Sequence, residues 1–174
     1  MGQKVIYKIL MLITAAILQI YLFDRFPQQP FVHISFYMIY VVLLSSDTNR
    51  LFVLLTSAIL GAAVDIMSGI PGINTISITA AAYLRPFILG AIAGKEKVKT
   101  DFIPSVYNMG FARFLLYSSS LILINSLIVI ICETGALFLA NGKMFVSLLT
   151  NFFFTTIIIL ILQYLTVHKP KSRW

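Results

Sequence analysis

Long apolar runs, separated by short polar or Pro/Gly-rich breaks, set the pattern of this chain, and they cover 5–23, 31–46, 51–68, 74–94, 111–132 and 144–167. A helix needs about 20 apolar residues to cross the hydrocarbon core of a bilayer. The pattern therefore predicts six transmembrane helices joined by short connections. The second run is the shortest, and a locally thinned bundle edge would accommodate it. The first run follows Lys4, and no small-residue cleavage pattern succeeds it, so it reads as an uncleaved span. Phe26-Pro27-Gln28-Gln29-Pro30 reads as a rigid loop. Gly69-Ile70-Pro71-Gly72 reads as a sharp turn, because glycine reaches positive φ and proline fixes its own. Pro86 falls inside the fourth run, where it frees a backbone carbonyl and can bend the helix. Residues 1–174 carry no internal repeat and no low-complexity tract, so they read as one transmembrane domain.

Composition sharpens this picture. Of 174 residues, 59% are hydrophobic and 11% charged, against about 25% charged in an average soluble domain. A soluble enzyme, a disordered tail and a secreted disulfide scaffold are excluded together. The single Cys132 has no partner for an internal disulfide, and no metal-type Cys/His spacing exists. The net charge of +7 would suit nucleic acid in a soluble protein; here it marks cytoplasmic loops facing anionic headgroups, and no nucleic acid is expected.

The basic residues then fix an orientation. With the N-terminus in the cytoplasm, the inner side receives nine: Lys4, Lys8, Arg50, Lys95, Lys97, Lys99, Lys169, Lys171 and Arg173. The outer loops receive only Arg25 and Lys143. This positive-inside bias predicts a multi-pass protein of the cytoplasmic (inner) membrane with both termini cytoplasmic.

Two charges lie within apolar runs, Asp65 and Arg85. Each costs about 2.5–3.5 kcal/mol at the bilayer centre, so each should face the bundle interior. Asp65 sits roughly 6 Å below the outer end of its helix and Arg85 roughly 16 Å down the next one, at 1.5 Å per residue. A snorkelling Arg side chain and a dipping turn would narrow the gap, and whether the two pair stays open. A relay or substrate site is one reading of them. An internal clamp between helices, or a contact with a partner's helix, is the plainer one. Gly61, Asp65 and Gly69 are spaced by four, giving a small-residue face fit for close helix approach. Ser118, Ser119, Ser120, Asn125 and Ser126 form a polar stripe better suited to interhelical hydrogen bonds than to permeation. No nucleophile–base set, phosphate loop or paired carboxylates can be assembled, so neither catalysis nor a metal or cofactor is expected.

The segment Gly61-Ala62-Ala63-Val64-Asp65-Ile66-Met67-Ser68-Gly69-Ile70-Pro71-Gly72 resembles the signature of the MreD family, bacterial rod-shape-determining membrane proteins. Tyr83-Leu84-Arg85-Pro86 is similar to the stretch after that signature in one branch of the family, and Ile17-Leu18-Gln19 also fits. The resemblance implies an all-α, six-helix fold similar to the substrate-binding (S) subunits of energy-coupling-factor vitamin transporters. It implies a non-enzymatic component of the cell-elongation (rod) complex, scaffolding or regulating peptidoglycan synthesis and cell shape. The implied partners are an MreC-like protein and, directly or through it, the MreB filament, a RodA-type glycosyltransferase and a class B transpeptidase. Homo-oligomerisation stays open. Gly61, Asp65, Gly69, Pro71, Gly72, Tyr83, Arg85 and Pro86 would serve folding or partner docking. The alternative with the same build is a small-molecule-binding transporter subunit, for which Asp65, Asn74 and Thr75 are the available polar groups.

Overall fold

The computed structural model describes residues 2–19, 35–69, 72–94, 102–134 and 142–166. Among them every regular element is helical: α1 (Gly2–Leu18), α2 (Met38–Leu43), α3 (Arg50–Ser68), α4 (Ile73–Ala93), α5 (Val106–Met109), α6 (Phe111–Thr134) and α7 (Gly142–Thr166). Among the described residues three helices are long and apolar enough to cross a membrane, at Arg50–Ser68, Ile73–Ala93 and Phe111–Cys132, with mean hydropathies of 2.0, 1.6 and 2.2. At 1.5 Å per residue these helices are about 28 to 33 Å long, matching a core of about 30 Å.

Their ends follow from local chemistry. Asn49 opens α3 by accepting from the Leu51 N–H at 2.9 Å, as a short polar side chain does at an N-cap. Gly69 closes it at φ +69°, returning its N–H to the Asp65 carbonyl, the left-handed ending that glycine adopts without a Cβ penalty. Ser105 opens α5, and Gly110 at φ +84° turns the chain from α5 into α6.

The part of the second apolar run that is described, from residue 35 on, is helical only over Met38–Leu43, about 9 Å of rise. Three i to i+3 bonds of 3.1 Å, from the N–H groups of Met38, Ile39 and Tyr40, wind its entry. At Leu44 the chain turns extended, with ψ 143°. Residues 35–44 are all buried, so this stretch is at the centre of the packing. Around it, α4 packs against α3 and α6 most extensively, and α6 packs on α7.

The radial distribution is the reverse of a soluble fold. Leu51, Leu55, Ile59 and Ile66 on α3 and Phe153, Ile157, Ile161 and Tyr164 on α7 point outward, while Ser57, Asp65, Asn74, Ser77, Arg85, Asn125, Asn151, Thr155 and Gln163 point inward. Apolar outside and hydrogen-bonding inside is what a lipid solvent selects. The chain has the character of a membrane protein.

Candidate functional site

The two intramembrane charges do not meet. Each is spent on the end of a helix. Asp65, 6% exposed, reaches from α3 to the start of α4. There its Oδ1 accepts the Asn74 N–H at 2.9 Å, and its Oδ2 accepts the Thr75 N–H at 2.9 Å and the Thr75 hydroxyl at 2.5 Å. The N-cap position of α4 is Gly72, which has no side chain to satisfy the first-turn donors. Asp65 supplies that acceptor from the neighbouring helix, and its charge suits the positive end of the α4 dipole.

Four residues earlier, Gly61 lies directly against the backbone of α4. A Cβ there would stand 2.5 Å from Thr75 Cα and 2.9 Å from both Thr75 N and Ile78 Cγ2. Only glycine permits that approach. Gly69 and Gly72, at φ +69° and +78°, bracket the connection. Gly61, Asp65, Gly69 and Gly72 thus build one helical hairpin. Pro71 lies outside the described residues.

Arg85 does the complementary work from the middle of α4, at the end of α2. It is 4% exposed; its Nη2 donates to the carbonyls of Leu44 and, at 3.4 Å, Ser45, and its Nε donates to the Tyr117 hydroxyl at 3.1 Å. Tyr117, fully buried on α6, donates in turn to the Val42 carbonyl at 3.2 Å. The last carbonyls of a helix have no intrahelical donors, and those of α2 are buried. Arg85 and Tyr117 supply the donors, with the cation at the negative end of the helix. The sites at which Asp65 and Arg85 act are ten to eleven residues apart along α4, about 15 Å. That is why no pair forms.

Between them lies a buried neutral network. The Tyr37 hydroxyl donates to Asn74 Oδ1 at 2.9 Å, and Asn125 Nδ2 donates to Ser35 Oγ at 3.0 Å and to the Tyr37 oxygen at 3.4 Å. The Tyr37 N–H donates to Gln19 Oε1, and the Ser35 N–H to Thr155 Oγ1, each at 3.3 Å. Side chains from α4, α6 and α7, and Gln19 just beyond α1, converge on the entry to α2. Of the α6 stripe, Asn125 bridges elements. Ser118, Ser119 and Ser120 donate instead to carbonyls of their own helix three or four residues back, at 2.7 to 3.2 Å, the competing bond that short hydroxyls make inside helices.

The remaining predicted positions surround a cavity. Tyr83 is exposed and its ring centroid lies 6.0 Å from that of Phe87. Pro86, within α4, lines a cavity of about 360 Å³ between α3 and α4 together with Arg85, Thr48, Arg50, Leu54 and Tyr83. Among the described residues no group of His, Cys, Asp and Glu is placed to hold a metal ion.

Sequence reasoning missed Tyr37 and Tyr117, both fully buried. The available signal was a tyrosine inside an apolar run, whose hydroxyl needs a partner when buried. No family model, no curated protein and no solved structure matches this chain.

Proposed function

We propose that this chain is a non-enzymatic, MreD-like membrane component of the bacterial cell-elongation complex. In this reading it crosses the inner membrane six times, keeps both termini in the cytoplasm, and scaffolds or regulates peptidoglycan synthesis. Its partners are an MreC-like protein and, through it, the MreB filament, a RodA-type glycosyltransferase and a class B transpeptidase. The observation that supports the reading is the work done by the signature-like segment: Gly61 sets the α3–α4 approach, Asp65 caps α4, and Gly69 and Gly72 make the turn. Polar residues consumed in fixing a hairpin suit a scaffold better than a turnover site. The competing transporter-subunit reading relies on Asp65, Asn74 and Thr75; Asp65 is engaged by the Asn74 and Thr75 N–H groups and the Thr75 hydroxyl, and Asn74 Oδ1 accepts from the Tyr37 hydroxyl.

The test is a detergent pull-down of the tagged full chain from its native membrane, with co-purifying proteins and small molecules identified. Recovery of an MreC-like protein with wall-synthesis enzymes is expected. A stoichiometric vitamin, or a companion ATPase pair, would overturn the scaffold in favour of a transporter subunit.

A further inference from the structure

The cavity between α3 and α4 combines features that the hairpin does not use. Arg85 lines it, and its described partners are all neutral oxygens: Tyr117 Oη, Leu44 O and Ser45 O. Its Nε and Nη2 are engaged, and no described residue accepts from Nη1. A second cation, Arg50, stands at the same cavity with its guanidinium 5.9 Å from the Phe87 ring centroid. Asp47 is the acidic residue among the described lining residues, so two guanidinium groups face one carboxylate there. A buried cation without a carboxylate is costly unless an anion joins it.

Ser46, Thr48 and Asn49 add polar groups to the wall at the Arg50 end, and Val53, Leu54, Ala82 and Leu89 make an apolar part. Tyr83 and Phe87 flank the cavity and are 59% and 57% exposed on the outer face of α4. Arg50 is the first residue of a helix about 28 Å long, so it stands at headgroup level when α3 spans a core of about 30 Å. A volume of about 360 Å³ holds a headgroup and the first part of a chain, not a whole lipid. Basic pockets between membrane helices are sites where anionic headgroups bind.

We propose that this cavity holds the phosphate headgroup of an anionic phospholipid, with Arg50 and Arg85 Nη1 on the phosphate and the acyl chains leaving along Tyr83 and Phe87. The site is independent of the cell-elongation reading and of which side of the membrane it occupies.

The experiment uses the purified full chain in mild detergent, with dioleoyl phosphatidylglycerol, dioleoyl phosphatidylcholine or inorganic phosphate added. Lipid adducts are read by native mass spectrometry and stability by thermal unfolding. Phosphatidylglycerol should form a saturable adduct and raise Tm, as any ligand of the native state does, while phosphatidylcholine and inorganic phosphate should do neither. Arg50→Gln, at an exposed position, should weaken the phosphatidylglycerol adduct about tenfold, the loss of one hydrogen bond to a charged group. Arg113→Gln, exposed on α6 and outside the cavity, should leave it unchanged. Arg85→Lys keeps the charge but loses the fork, and should weaken the adduct in whatever fraction stays folded. Equal binding of the two lipids, or undiminished binding by Arg50→Gln, overturns the proposal. A stability gain from inorganic phosphate alone overturns the lipid as occupant.

Discussion

Replacing Asp65 by Ala removes the acceptor of three hydrogen bonds at once, from the Asn74 N–H, the Thr75 N–H and the Thr75 hydroxyl. Loss of an N-cap side chain costs about 0.5–2 kcal/mol, and loss of a partly buried charge at a helix terminus up to about 2 kcal/mol. Against these stands the relief from desolvating a carboxylate that is 6% exposed. The net expectation is a destabilisation of about 1–3 kcal/mol, which at ~1.4 kcal/mol per decade multiplies the unfolded fraction roughly 5- to 150-fold. Asp65→Asn keeps one oxygen acceptor and should lose about half as much. The assay is titration of the detergent-solubilised protein with sodium dodecyl sulfate, followed by circular dichroism, alongside amide hydrogen exchange. The exchange should accelerate first at residues 73–76, the opening turn of α4. If Asp65→Ala unfolds at the wild-type midpoint with unchanged exchange over 73–76, the capping argument fails. If Asp65→Asn is as damaging as Asp65→Ala, charge rather than hydrogen bonding dominates and the division between the two is wrong.

Gly61→Ala should destabilise by about 1–3 kcal/mol, the range for overpacking a tight contact, because its Cβ would stand 2.5 Å from the Thr75 backbone; Ala58→Gly, one turn earlier, should be far milder in the same titration. Tyr117→Phe deletes the donor to Val42 and the acceptor of Arg85 Nε, so a loss of about 1–3 kcal/mol is expected, with faster exchange over 38–44; a neutral result would refute the role given to that hydroxyl. Gln163 is fully buried on α7, and neither amide atom has a partner among the described residues. Gln163→Met should therefore raise the midpoint, by about 1 kcal/mol, and a lowered one would reveal an unseen partner. Ser119→Ala, whose hydroxyl bonds only to its own helix, should stay within about 0.5 kcal/mol of wild type.

How much of this was legible in the sequence depended on what each residue's role requires. Helices fill the apolar runs because twenty residues of Leu, Ile, Phe and Val in lipid leave the backbone no other way to satisfy itself. The face made by Gly61, Asp65 and Gly69 could be read from its spacing of four. The destination of Asp65 could not, since its partners are backbone N–H groups of another helix and no residue type announces those. Arg85 was hidden for the same reason: its partners Leu44 and Ser45 contribute carbonyls, not side chains. The second run could be read as the shortest, but not that its described part is helical only over Met38–Leu43, because Phe36-Tyr37-Met38-Ile39-Tyr40 carries no helix-breaking residue. The carbonyls at its end are met by donors of Arg85 and Tyr117, far along the chain. The serines of α6 looked like interhelical glue, and backbone carbonyls one turn away captured their hydroxyls first.

The way α2 is finished bears on how the protein is made. Its terminal carbonyls wait for donors 41 residues later in Arg85 and 75 residues later in Tyr117. A ribosome delivers these elements in order, so the centre of the bundle is threaded first and locked last. Until α6 leaves the translocon, residues 38–45 hold polar groups that lipid cannot satisfy. Nascent chains stalled before Tyr117 should accordingly be the ones that membrane chaperones and proteases find, whereas those stalled beyond it should already be protected.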